Sequence, residues 1–270
     1  MCSDILAGTT INRLKYLRMK KILLNLIERL GYTVIKKSQQ NALFSDITNK
    51  EFWEIYSFCK PYTRTSIERM HTLYNAVEYI LVNNIKGDFV ECGVWRGGSA
   101  MMIAKMLANR NIEDRKIYLY DTFEGMSEPT SDDITITGEQ ASKLLDETVT
   151  NKKETVWCLA DIIDVQNNMK ATGYNERNLI FVQGKVEDTI PGNVPESIAL
   201  LRLDTDWYES TKHELIYLFP KIPLNGLLII DDYGHWQGCK KAVDEYINEN
   251  KLCIFLSRID YTGRIAVKTS

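Results

Sequence analysis

The spacing of hydrophobic and polar positions changes character near residue 85. Before it, apolar residues recur at helical intervals. Leu14, Leu17, Ile22, Leu23, Leu26, Ile27 and Leu30 form a stripe within the Lys- and Arg-rich segment Arg13 to Lys37. This predicts an amphipathic helix stopped at Gly31. Its basic face either stays solvated while the stripe packs on the main domain or a partner subunit, or lies on a membrane surface. A second helical region is predicted from Asn49 to Asn84, interrupted around Pro61.

From Asp88 onward short apolar runs alternate with helical stretches. Strands are predicted at Asp88–Cys92, Lys116–Tyr120, Leu179–Val182, Ile198–Leu203, Gly226–Ile230, Leu252–Leu256 and Arg264–Val267, with helices at Ser99–Asn109 and around Lys240–Glu249. This alternation predicts an α/β fold, a mostly parallel sheet covered by helices on both faces. The link Tyr261-Thr262-Gly263 between the last two strands is too short for a parallel crossover, so strand seven is expected to run antiparallel to strand six.

Two of these runs end in paired aspartates: Leu201-Arg202-Leu203-Asp204-Thr205-Asp206 and Leu227-Leu228-Ile229-Ile230-Asp231-Asp232. If the two strands are neighbours, four carboxylates converge at the C-terminal edge of the sheet. Two like charges about 4 Å apart repel by roughly 4 kcal/mol at an effective dielectric of 20. A hard divalent cation such as Mg²⁺ relieves this with all-oxygen ligands. The competing reading is helix capping and solvated turns. Asp206, two residues from Asp204, is expected to point the same way and to take a proton as general base. His235 is a rival base, or a packed histidine. Trp207, Tyr208, Tyr233 and Trp236 flank the region as ligand-stacking or core aromatics.

A second signal is Glu91-Cys92-Gly93-Val94-Trp95-Arg96-Gly97-Gly98-Ser99, a strand end, a Gly-rich turn and a helix start with Ser99 as predicted N-cap. Neither GxGxxG nor a GxxxxGK[ST] phosphate loop is present. The next strand ends in Asp121, an acceptor for ribose hydroxyls. The combination suits an adenosine ligand without phosphates, S-adenosylmethionine, against a tight turn serving another ligand. The long insertion from Glu124 to Ala160, with a predicted helix at Glu139–Thr148, is expected to be a lid.

Composition narrows the class. A net charge of −3 gives no pull toward nucleic acid, and no apolar run reaches the length of a membrane span. The six cysteines have no CxxC spacing and read as reduced thiols of a cytoplasmic protein.

Five ordered blocks then carry a resemblance: GDFVECGVWRGGSAMMIA from Gly87, YDTFEGM from Tyr120, FVQGKVEDTIP from Phe181, LRLDTDWYEST from Leu201, and GLLIIDDYGHWQGCKKAVDEY from Gly226. Together the chain resembles the macrocin-type O-methyltransferases, metal- and S-adenosylmethionine-dependent enzymes that methylate sugar hydroxyls of antibiotics. The resemblance implies a Rossmann-like class I methyltransferase fold, a seven-stranded sheet with an antiparallel last strand. Residues 1–84 would be a helical extension and cofactor lid, and 85–270 the methyltransferase domain, with 124–160 as substrate lid.

It further implies that Asp204, Asp231 and Asp232 ligate Mg²⁺ and that Asp206 is the base. Glu91 and Gly93, with Cys92, Val94 and Ser99 beside them, would hold the methionine part of the cofactor and Asp121 the ribose. Gly184, Lys185 and Val186 would border the adenine. Thr63 falls in the covering segment Pro61 to Ser66, where Arg64 replaces the usual methionine. The expected acceptor is a small molecule or glycan with vicinal hydroxyls, and self-association is expected. A catechol-like diol and a non-catalytic cofactor-binding scaffold are the alternatives.

Overall fold

The computed structural model describes residues 43–151 and 155–269, with positions 19–23, 26 and 29 of the N-terminal region. The chain divides into two units, 1–50 and 51–270. In the first, positions 19–23, 26 and 29 are helical, and Met19, Ile22, Leu23 and Leu26 are exposed. The rest of the predicted amphipathic helix, including its stop at Gly31, lies outside the described residues.

The second unit is built on a seven-stranded sheet in the order β3-β2-β1-β4-β5-β7-β6. The strands are β1 (Asp88–Cys92), β2 (Ile117–Asp121), β3 (Leu179–Gln183), β4 (Ile198–Leu203), β5 (Leu227–Ile230), β6 (Ser257–Arg258) and β7 (Arg264–Val267). Strands β1 to β5 pair in parallel, and β7 runs antiparallel to both β5 and β6. The antiparallel last strand is as expected. Its partner differs: strand six occupies Ser257–Arg258, whereas the predicted Leu252–Leu256 forms no strand. Those residues instead lay Leu252, Ile254 and Leu256 against the core. The four-residue β7 spends its whole length on β5 and offers its other edge only to Ser257 and Arg258.

The helices are α1 (Lys50–Cys59), α2 (Ile67–Val82), α3 (Gly98–Asn109), α4 (Ala141–Glu147), α5 (Ile162–Lys170), α6 (Val186–Thr189), α7 (Tyr208–Leu218) and α8 (Gln237–Glu249). A short 3₁₀ turn, Lys60–Tyr62, separates α1 from α2 at Pro61, as expected of a residue that ends helices. Helix α3 begins one residue earlier than predicted. Its N-cap is Gly97, at φ +89°, and Ser99 is inside the helix with its hydroxyl against the Met70 sulfur.

Side chains alternate across each strand. Val90, Cys92, Tyr118, Tyr120, Leu201, Leu203, Leu228 and Ile230 join one cluster with Leu215 and Leu218 of α7 and Val243 and Tyr246 of α8. The intervening positions, among them Phe89, Glu91, Leu119, Leu200 and Arg202, face the side where α2 reaches β4. The chain leaves β1 toward β2 and β3, then returns to build β4 and β5 on its other edge. That reversal opens a crevice beyond the carboxyl ends of β1 and β4.

Candidate active site

The ladder carries on one residue past the ends of β4 and β5. The Asp204 amide donates to the Cys92 carbonyl at 2.8 Å, and the Asp231 amide donates to that of Leu203 at 2.9 Å. Aspartates distant in sequence are thereby set side by side. Gly93 permits the approach. It adopts φ +80°, and a Cβ there would fall 2.0 Å from the Asp204 carbonyl oxygen.

Asp204, Asp231 and Asp232 each offer a carboxylate oxygen, all within 4.8 Å of one another. Asp206 joins them by a different route from the one expected. It is not on a strand pointing the same way as Asp204. The strand has ended, and Asp206 turns inward from left-handed backbone at φ +67°. Its carboxyl lies against that of Asp232 and accepts a hydrogen bond from the Trp236 side chain. Two carboxyl groups touch stably only with a proton or cation between them. Burial, then the charge of Asp204, pushes Asp206 up to about 7. Burial, reinforced by the neighbouring carboxylates, raises Asp204 and Asp232 well above the carboxylate range.

Two arginines thread this acidic cluster, and neither was singled out in the sequence. Arg202 lies 2.5 Å from Glu91 and 2.8 Å from each of Asp204 and Asp231. Arg69 of α2 pairs with Asp231 and, at 3.0 Å, with Asp260. Arg202 carried a legible signal, as a cation inside the otherwise apolar run Ile198–Leu203. Arg69 carried none, because α2 is remote in sequence. Five carboxyl groups (Glu91, Asp204, Asp206, Asp231, Asp232) thus face two guanidiniums.

These residues fit a divalent cation. The three aspartates supply hard oxygen donors within one coordination sphere, and Asp232 Oδ2 is buried without a hydrogen-bond partner.

Glu91, Gly93, Val94, Ser99, Asp121 and Thr63 line the same cavity of about 200 Å³ as the four aspartates. A smaller adjoining cavity shares Gly93, Asp121, Gly125, Met126 and Asp204 with it and reaches Gly184, Lys185 and Val186. One elongated ligand can span both. Asp121 accepts the amides of Val94, Trp95 and Phe123, at 2.7, 3.1 and 2.7 Å, tying the end of β2 to the turn after β1. Even so, burial leaves its carboxyl raised. Burial, partly offset by Arg202, brings Glu91 up to about 7, and Glu91 Oε2 is buried and unpartnered.

Cys92 lines neither cavity. Strand alternation turns its thiol into the core on the α7 and α8 side, away from Glu91. His235 lies on the far side of the aspartate turn, in a separate cavity. Trp207 and Trp236 pack edge to face at 4.9 Å in the core, so neither is an open stacking platform.

The segment 61–66 covers the site from above. Arg64 lies over the Trp95 ring at 4.7 Å and donates to the Thr155 carbonyl at 2.6 Å, joining the segment to the 124–160 insertion.

The family model of macrocin O-methyltransferases (TylF) matches residues 6–267. The chain belongs to this family. It is 31% identical over 202 residues to the demethyldecarbamoylnovobiocin O-methyltransferase of Streptomyces niveus, covering 75% of this chain and 74% of that one. Identity is 30% to the mycinamicin III 3''-O-methyltransferase of Micromonospora griseorubida, over 75% of this chain and 76% of that one. Among solved structures the O-methyltransferase NovP superposes with a TM-score of 0.68 at 29% identity, over 77% of this chain and 83% of NovP. A putative caffeoyl-CoA O-methyltransferase from Staphylococcus aureus shares the fold at a TM-score of 0.52 and 14% identity, over 86% and 98%. This member of the macrocin O-methyltransferase family is an O-methyltransferase with a class I fold. No helix among its described residues is long and apolar enough to cross a membrane.

Proposed function

We propose that this enzyme moves a methyl group from S-adenosylmethionine to a hydroxyl of a sugar bearing vicinal hydroxyls, with Mg²⁺ held by Asp204, Asp231 and Asp232. The observation that carries the reading is the joining of those three carboxylates to the Gly93 turn in one cavity. When bound, the cation supplies a lowered hydroxyl pKa and the sulfonium an already activated methyl group.

The chain's own residues do the positioning. Glu91 and the Gly93–Val94 backbone border the end of the cavity nearest the aspartates, suited to the amino-acid part of the cofactor. Gly184, Lys185 and Val186 border the other end, suited to the adenine. Asp121 holds the turn between these ends. Arg202 fixes the orientation of Asp204 and Asp231 through one planar guanidinium, which sets two of the three ligands before anything binds. Asp206, which lines the cavity and is held up to about 7 by burial and the charge of Asp204, receives the hydroxyl proton on its carboxylate. The segment 61–66 lines the cavity and is tied by Arg64 to Thr155 of the insertion, which suits a cover over the bound ligands.

Free thiols at Cys59, Cys92, Cys158, Cys239 and Cys253 suit a reducing cytoplasm, and the family resemblance extends the reading to a homo-oligomer. The test is Asp204→Ala. Methyl transfer to a panel of glycosides is expected to vanish, while calorimetry still detects S-adenosylmethionine binding. Excess EDTA should silence the native enzyme and Mg²⁺ restore it. Full activity in the variant or in EDTA overturns the metal-dependent reading.

A further inference from the structure

Across the turn that carries Asp231 and Asp232 lies another cavity, of about 240 Å³, walled by Tyr233, His235, Lys240, Arg258, Tyr261 and Arg264. It shares no wall residue with the aspartate cavity. The two are nonetheless separated by a single turn, because the amides of His235 and Trp236 both donate to the Asp232 carbonyl, at 2.9 and 3.0 Å.

The charge of this cleft is one-sided. No carboxylate among the described residues lines it. Lys240 is answered by Asp244 on its own helix. The two guanidiniums are held by backbone carbonyls instead of acids. Arg258 Nε donates to the Asp260 carbonyl at 2.7 Å, and Arg264 Nη1 to that of Gly263 at 2.8 Å, with the Thr262 and Asp260 carbonyls at 3.3 and 3.4 Å. Neither arginine forms an ion pair among the described residues. Carbonyl bonds fix a guanidinium without neutralising it, and each keeps further N–H donors for an incoming oxyanion. The Tyr233 ring supports the arrangement from below, with Arg264 at 4.8 Å and Lys240 at 5.3 Å from its centre. Tyr261, 57% exposed, gives the cleft an aromatic rim.

The cleft is also linked mechanically to the aspartates. Asp260, whose carbonyl anchors both arginines, turns its carboxylate to Arg69, and Arg69 pairs with Asp231. The loop that carries the uncompensated cations therefore also sets one of the proposed metal ligands.

We propose that this cleft takes a phosphate or carboxylate group attached to the acceptor sugar, so that the enzyme's acceptors are anionic glycosides. The proposal rests on the methyl-transfer reading and names its substrate class. Phosphate and carboxylate share the needed chemistry, a planar or tetrahedral oxyanion that a guanidinium grips with two bonds.

The test titrates the protein, in Mg²⁺ and S-adenosylhomocysteine, with glucose, glucose 1-phosphate, glucuronate and inorganic phosphate. At least one of the two anionic sugars is expected to bind about tenfold or more tighter than glucose, the worth of one charge-assisted contact. Which of them does so distinguishes a phosphate from a carboxylate source. Arg258→Ala/Arg264→Ala should erase the preference, and Arg258→Lys should retain part of it. Arg258→Ala alone gives up one bond to the Asp260 carbonyl but keeps those of Arg264 to Gly263, Thr262 and Asp260, so it tests the cleft with less change to the loop than the double variant. The proposal is overturned if neither anionic sugar exceeds glucose, if the preference survives in the double variant, or if inorganic phosphate binds as tightly as the sugars. S-adenosylhomocysteine binding is read separately in the same samples. Its loss counts against the methyl-transfer reading and not against the anion cleft.

Discussion

Glu91 and Arg202 are register partners on neighbouring parallel strands, and their side chains meet at 2.5 Å with almost no exposure to solvent. Nothing in their 111-residue separation announces the pair. It matters because the same guanidinium continues to Asp204 and Asp231, so one buried cation orients three of the five carboxyl groups of the acidic cluster.

Arg202→Met is therefore expected to leave Glu91, Asp204 and Asp231 buried without their cation, which costs about 3–5 kcal/mol. Urea unfolding followed by circular dichroism measures this directly. Added Mg²⁺ should raise the midpoint of the variant more than that of the native protein, since the ion replaces part of the missing charge. Equal midpoints for the two proteins would mean that the pair is not a structural hub.

Two glycines with positive φ separate strain from steric exclusion. Gly93→Ala, at φ +80°, drives a methyl into the Asp204 carbonyl and should pull β1 from β4, abolishing cofactor binding. Gly138→Ala, at φ +93°, meets nothing within 4 Å and should cost only the backbone term of about 1 kcal/mol. Thermal unfolding and S-adenosylmethionine titration on both variants check the contrast. Similar losses in the two would indicate that the close approach of β1 and β4 is not what Gly93 serves.

Asp260 provides a pH signature. Burial pushes its carboxyl up, but the amides of Gly263 and Thr262, the Ser66 hydroxyl and Arg69 outweigh that and hold it below its ordinary 3.8. A folded value below the unfolded one means that the folded protein binds the proton less tightly. Its stabilisation is thus fully present above 3.8 and is lost as the pH falls through the lower folded value. Asp260→Asn should cost about 1–3 kcal/mol at pH 7. That gap to the native protein should close in strong acid. A difference in stability that stays constant from pH 7 down to pH 2 contradicts the assignment.

Much of the fold was legible in the chain because parallel strands buried on both faces must be apolar, and their ends must be turns. Strands β1 to β5 therefore stand out, and the short link at residues 261–263 already required an antiparallel reversal. The misplacement of strand six has a physical reason. Leu252, Ile254 and Leu256 alternate like a strand but satisfy that pattern by packing on the core without a pairing edge. Ser99 likewise has the chemistry of an N-cap, yet Gly97, free to adopt φ +89°, opened the helix before it.

The aspartates were visible as two doublets at strand ends, and the glycine turn as a break in an apolar run, since both are local statements about where a strand stops. What surrounds them was decided in three dimensions. Asp206 enters the site through a left-handed turn and not through strand alternation, and Cys92 leaves it because alternation turns its thiol into the core. His235 falls across the turn, in the cationic cleft. Above all, the partners that hold the cluster, Arg69 and Arg202, come from a helix and a strand whose proximity depends on the order β1-β4-β5. Composition and periodicity dictate which segments are buried and where each ends, because those depend on neighbours along the chain. Which charges then neutralise one another depends on neighbours across the sheet, and only the folded arrangement supplies them.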